Sequence, residues 1–179
     1  KVGHELERMG FTVEPVELPL EGLADPTLWA AALGALPIRD LETVHPMLRD
    51  QVVTGRVVKA VALEMLNHRF HQRSRALRLA VNEYDAVLLP VLPTLAKPIG
   101  FLDSETIDDL LGWLAYTYPA NIAGLPSVAF PADRSADGLP IGAQLMGPLN
   151  HDEQLLELVA KWEVARGLPH PTAPLSPGA

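Results

Sequence analysis

Acyl transfer by a serine needs the hydroxyl held against a base, usually on a strained, glycine-rich turn. The serines of this chain are Ser74, Ser104, Ser127, Ser135 and Ser176. None lies in a Gly-x-Ser-x-Gly or a Gly-Gly-Ser-Ser-Gly run. Ser127, in Gly124-Leu-Pro-Ser127-Val, alone sits next to both a glycine and a strand-like run. A hydroxyl bonded to nearby backbone is the favoured reading of it. A divergent hydrolase that pairs Ser127 with His151 is the competing one, although nothing in the sequence orients that histidine. The chain has no cysteine, so thiolate nucleophiles, thiolate metal sites and disulfides are excluded.

Metal chemistry has one candidate. Glu64, His68 and His71 fall at i, i+4 and i+7, on one face of a predicted helix. The pattern is not His-Glu-x-x-His, and Arg69, Arg73, Arg75 and Arg78 stand beside it. A solvated polar face is preferred, and no metal or other cofactor is expected. The same arginines could form an anion patch, but on an acidic chain a salt-bridged or solvated surface is favoured. Asp108 and Asp109 are adjacent, so on a helix they diverge by about 100° and make no acid–base pair. They suit a helix N-terminus instead.

Two amides remain. Asn121 lies in the apolar stretch Tyr-Pro-Ala-Asn121-Ile-Ala-Gly124, and Gln144 lies in Gly-Leu-Pro-Ile-Gly-Ala-Gln144-Leu-Met-Gly. An amide buried in such a setting must be hydrogen-bonded, or it costs about 1–3 kcal/mol. Strand alternation puts Gln144 with Gly142 and Met146, opposite Ala143 and Leu145. Scaffold bonding is favoured for both amides; contact with a substrate is the alternative.

The elements that must position these groups alternate between helix and short apolar strand, an α/β pattern. Leu6, Met9 and Gly10 mark a first helix, followed by a strand over Phe11–Glu17 weakened by Pro15. Asp25-Pro26 caps a helix carrying Trp29 and Leu33. His45-Pro46 opens another, with Leu48 and Val52, that Gly55 is expected to break. The longest pattern runs to Val81, with Ala62, Leu66, Phe70, Leu77 and Val81 as its buried stripe. Ala86–Leu89 reads as a buried strand that ends at the rigid loop Pro90-Val-Leu-Pro93-Thr94. Thr106-x-x-Asp109 fits a capping box. Val128–Phe130 and Ile141–Met146 are two more strands, joined by a polar loop that suggests antiparallel pairing. Asn150–Glu153 caps a last helix with the stripe Leu155, Leu158, Val159 and Trp162, closed by Gly167 and Pro169. One α/β domain over 1–169, helices on a mixed sheet, with a proline-rich tail over 170–179, accounts for the whole chain. About four strands would leave an apolar edge open, as in a piece of a larger sheet.

The bulk properties narrow the partners. With 179 residues and 48% hydrophobic content the chain can bury a real core. A formal charge of −8 argues against nucleic acid, which needs a basic face. No run of about 18 apolar residues predicts a membrane span, and no signal peptide opens the chain. A cytoplasmic setting is expected. Lys1 already lies inside a helical pattern, which suggests a polypeptide cut from something longer.

Four segments, in order, resemble one family. They are Glu7-Arg-Met-Gly-Phe-Thr-Val-Glu14, Tyr84-Asp-Ala-Val-Leu-Leu-Pro-Val-Leu-Pro-Thr94, Pro119-Ala-Asn-Ile-Ala-Gly-Leu-Pro126 and Gly138-Leu-Pro-Ile-Gly-Ala-Gln-Leu-Met-Gly147. Their order and spacing are similar to the last two-fifths of an amidase signature enzyme. The resemblance implies a large mixed sheet between helical layers and hydrolysis of an amide by a Ser-Ser-Lys triad. In that family the lysine, the two serines and the oxyanion hole lie in the N-terminal portion. No position here matches them, so no catalytic residue carries over. What carries over is support: Pro93, Thr94, Asn121 and Gly124 near the substrate funnel and Gln144 on a core strand, with Gly124 and Gly142 permitting close backbone approach. The implied partners are a small amide substrate, the N-terminal portion of the same enzyme and, as an assembly, a homodimer. Glutamine-using relatives carry Asp seven residues before the motif asparagine; Leu114 stands there, so an apolar or aryl amide is expected. A non-catalytic module that pairs through its open sheet edge is the competing reading.

Overall fold

Val87–Pro90 (β1), Ser127–Arg134 (β2) and Pro140–Met146 (β3) form one sheet in the order β1-β3-β2. The structure is a computed structural model and describes residues 1–101 and 106–167. Ser104, Pro169, Ser176 and the tail over 170–179 lie outside these residues. Both strand pairings are antiparallel: Leu89 and Ala129 flank Gln144 from either side, and a register shift falls between Pro131 and Asp133. The expected α/β class holds, and these three strands show antiparallel rather than mixed pairing. Pro131 is tolerated because β2 is an edge strand of the described sheet.

Side chains alternate across the strands and feed two cores. Phe130, Ala132, Ala143 and Leu145 point to one face. There they meet Leu6 of α1 (Val2–Arg8) and Leu155, Val159 and Trp162 of α7 (Asp152–Arg166). Trp162 is fully buried, stands edge-on to Phe130 at 5.5 Å, and donates its indole N–H to Pro131 O at 3.4 Å. Val87 and Met146 point to the other face. They pack with Leu77 and Val81 of α4 (Ala60–Val81) and with Ala120 and Ala123 of α6 (Tyr118–Ala123). A fully buried side chain the size of Leu77 or Val81 contributes about 1.5–3 kcal/mol.

Between the first helix and the sheet run α2 (Pro26–Gly34) and α3 (Pro46–Arg56), which pack on each other, and α5 (Ile107–Trp113) precedes α6. The Asp25 carboxylate accepts from Thr27 N and Leu28 N, so α2 starts where its sequence says. Thr106 and Asp109 form a complete capping box on α5.

Several expectations are corrected. Phe11–Glu17 is not a strand. Val13 packs against the α7-side core and Val16 against the α4-side core, so packing rather than a ladder explains the alternation. Gly55 does not break α3: it lies inside it, pressed on α2, where an added Cβ would sit 1.8 Å from Ala30 O. Gly34 faces it, with a Cβ position 2.4 Å from the Gly55 carbonyl carbon. The two glycines let the helices cross backbone to backbone. In α4 only the second half is buried. Ala62 is exposed, as are Val61 and Met65, while Leu66 and Phe70 are half-buried. Asn150 does not cap α7; His151 does, without a side-chain bond, and Asn150 takes φ 65° as the turn residue before it. No described helix is long and apolar enough to cross a membrane.

Candidate functional site

Gln144 sits on the α4 and α6 face of the central strand, 3% exposed. Its position beside Met146 follows from the alternation, and its amide is used at both ends. Nε2 donates to Pro90 O at 3.1 Å and to Tyr116 O at 2.6 Å. Oε1 accepts from Ser127 Oγ at 3.1 Å. One side chain thus joins the end of β1, the connection between α5 and α6, and the start of β2.

Those three places carry the sequence candidates. Beyond Pro90 the chain runs into Pro93 and Thr94, both exposed, with Thr94 Oγ1 donating to Leu95 O at 3.2 Å. This loop is seated by Gly142. Val91 N donates to Gly142 O at 3.2 Å, and a Cβ on Gly142 would meet Val91 Cγ2 at 2.8 Å. The close approach expected at Gly142 is therefore present. Gly124 differs: nothing lies within 4 Å of its Cβ position, and its glycine is explained by φ 65° at the C-cap of α6.

Beyond Tyr116 the chain enters α6, which carries Asn121. The apolar neighbours predict a buried amide, yet Asn121 is exposed. The helix buries Pro119, Ala120 and Ala123, and Asn121 falls on the other side. Its Nδ2 donates to Thr117 O at 3.1 Å, one turn back in the chain. Arg78, read from sequence as solvated or ion-paired, donates to Ala123 O at 3.1 Å and holds the end of α6 against α4. Arg73 likewise donates to Gly22 O at 2.5 Å. A loop carbonyl awaiting a guanidinium leaves no mark in sequence, so this tethering had no signal.

Tyr118 opens α6 with its ring 5.8 Å from that of Trp29 on α2. Burial pushes its phenol up from the ordinary value, and the nearby Asp25 carboxylate adds to this. Leu114, the residue at the expected selectivity position, caps the C-terminus of α5 and is half-buried.

The chemistry available here is hydrogen bonding and shape. Ser127 gives its proton to an amide oxygen, which is not a base at neutral pH. Its bond runs to a side chain on the next strand, not to backbone as expected. His68 bonds Gln72 at 3.0 Å, and among the described residues no three His, Asp, Glu or Cys side chains gather as metal ligands. A groove of about 430 Å³ lies elsewhere, between α1 and α7. Its Arg166 is held at 2.9 Å by the Glu5 carboxylate.

A small antiparallel sheet thus lies between helices, with Gln144 buried on its central strand and bonded to Pro90, Tyr116 and Ser127. The chain belongs to the amidase family, whose family model matches residues 1–156. Two mycobacterial proteins that carry amidase in their names are similar along almost all of it. AmiC of Mycobacterium leprae is 36% identical over 179 residues, covering 93% of this chain and 37% of that protein. AmiA2 of Mycobacterium tuberculosis is 31% identical over 183 residues, covering 93% and 36%. The chain thus spans well under half the length of these relatives. Among solved structures, a crystal structure of an amidase superposes with a TM-score of 0.71 at 26% identity, covering 92% of this chain and 40% of that one. A Kluyveromyces lactis allophanate hydrolase reaches 0.76 at 21% identity, covering 90% and 28%, a likeness of fold alone.

Proposed function

We propose that this chain is the C-terminal part of an amidase signature hydrolase that cleaves a carbon–nitrogen amide bond. In that reading it supplies sheet scaffold and one wall of the substrate pocket, and has no turnover by itself. The observation that carries the reading is the three-way tie at Gln144, which joins the 138–147 segment to the 84–94 segment and to both flanks of the 119–126 segment. The 93% coverage of this chain against 37% of a relative supports it. So does the chemistry of Ser127, which faces an amide rather than a base.

The Ser-Ser-Lys segment would come from the remaining portion of the enzyme, which is then the principal partner. There the serine oxygen attacks the amide carbon, the amine leaves with a proton, and water releases the acid. Pro93, Thr94, Asn121 and Gly124 line the approach from this side. The exposed amide of Asn121 offers an acceptor and a donor to a substrate or to the adjoining portion. Leu114 in place of an acidic residue favours an apolar or aryl amide over glutamine. The lack of cysteine is compatible with a cytoplasmic enzyme.

The test is an amidase assay on the purified chain and on the longer enzyme. Turnover of an aryl amide by the longer enzyme, with none from the chain alone, is expected. Turnover by the chain that is lost on Ser127→Ala would overturn the reading. Glutamine hydrolysis faster than that of simple amides would overturn the substrate class. A second reading draws on the sheet: β1 is an edge strand of the described sheet and carries Leu88 and Leu89, so it could pair with a separate subunit. A monomer in sedimentation with little exposed apolar surface would exclude it.

A further inference from the structure

We propose that Gln144 is a positioning residue: it holds the Pro90–Thr94 loop and the Tyr116–Gly124 segment in one fixed relation to each other. This rests on the reading of those segments as pocket wall. The geometry is specific. Pro90 and Tyr116 are 26 residues apart in sequence and belong to different elements, yet their carbonyls accept the two protons of one amide. The two carbonyls can only accept, which settles which end of the amide donates, and the amide's oxygen accepts from Ser127 Oγ, which helps fix the plane of the group. The amide is buried, so its three bonds are part-sheltered from water although Pro90 and Ser127 are themselves exposed. A methionine of similar length would fill the space and leave both carbonyls unpaired. A glutamate would set a carboxylate against two carbonyl oxygens. Only a primary amide at this length supplies two donors and one acceptor here.

On each side of the clasp the chain is held by few other bonds. Val91 N bonds Gly142 O at 3.2 Å, and Thr117 N and Tyr118 N both bond Leu114 O, at 3.1 and 3.0 Å. These three amides therefore report on the clasp. Leu155 N, bonded to His151 O at 3.1 Å at the start of α7, reports on the rest of the fold.

The experiment is hydrogen exchange on the 179-residue chain, wild type against Gln144→Met and Ser127→Ala. In Gln144→Met the amides of Val91, Thr117 and Tyr118 should exchange about tenfold faster or more, with Leu155 changed by less than about twofold. Ser127→Ala keeps both carbonyl bonds and should leave the three reporters within about threefold of wild type. Should Gln144→Met fail to fold, Gln144→Glu replaces it. Its carboxyl would be raised by burial, so protection of the three amides should be greater in acid and fall as pH rises past the ordinary glutamate value. Unchanged reporters, or equal acceleration at Leu155, would overturn the clasp. In the longer enzyme Gln144→Met should raise KM for an aryl amide by a larger factor than it lowers kcat. Loosened reporters with an unchanged KM would overturn the positioning role. A longer enzyme that hydrolyses no amide would sink the proposed function, and the exchange result would still decide the clasp.

Discussion

Two buried polar residues on the α4 face of the sheet behave in opposite ways. Gln144 uses every hydrogen-bonding atom of its amide. Ser74, 2% exposed on α4, has a hydroxyl with no partner among the described residues. Burial without a bond costs about 1–3 kcal/mol, and alanine removes the group that incurs it. Ser74→Ala should therefore leave the urea midpoint unchanged or raise stability by about 1 kcal/mol. A loss of stability would show that the hydroxyl is bonded. At this scale the sequence was half legible. Strand alternation placed Gln144 on the correct face. It could not reveal the partners, which are backbone carbonyls brought close only by the folded chain. Asn121 misled for the same reason: apolar neighbours mark a buried helix, but not which of its sides is buried.

Among the elements, α2 and α3 meet at two facing glycines, Gly34 and Gly55. Gly55→Ala would drive a methyl into Ala30 O, so the helices must separate. A loss of about 2 kcal/mol or more is expected, read as a lower denaturant midpoint. Gly112 on α5 is the control, since nothing lies within 4 Å of its Cβ position. Gly112→Ala should raise stability by about 0.5–1 kcal/mol through helix propensity alone. Equal effects at both sites would refute the packing account. The sequence offered two identical signals here, a glycine in a helical pattern, and only tertiary contact separates breaker from spacer. Three local signals held, although the Asn150 cap did not. The Asp25 cap, the Thr106–Asp109 box and the α7 stripe of Leu155, Val159 and Trp162 each depend on residues within about two turns. The Phe11–Glu17 alternation failed because a strand needs a neighbour, and neighbours are not local.

For the molecule as a whole, two cores share one thin sheet, and α2 and α6 meet at Trp29 and Tyr118. Burial, then Asp25, holds its phenol above the ordinary value. A phenol raised in the folded state gives stability that is present below the unfolded value, near 10, and lost as pH rises through the folded one. Alkaline unfolding should thus carry a Tyr118 contribution. Tyr118→Phe should flatten the decline of Tm above about pH 10 relative to wild type. An unchanged alkaline slope would show that the ring is not desolvated. The first half of α4 raises another matter of scale. Val61 and Met65 within it, and Val57 just before it, are 73%, 62% and 75% exposed, and a net charge of −8 opposes the self-association such apolar surface favours.

The family model and the physical body of the fold stop at different places. The family model reaches residue 156, inside α7. Val159 and Trp162 lie beyond it, and Trp162 covers Phe130 and satisfies the carbonyl of the kinked edge strand. A boundary drawn where the family model ends would leave the sheet without its lid. The residues that model matches and the residues that keep the chain folded overlap without coinciding, so any excision of this module is set by Trp162 and not by residue 156.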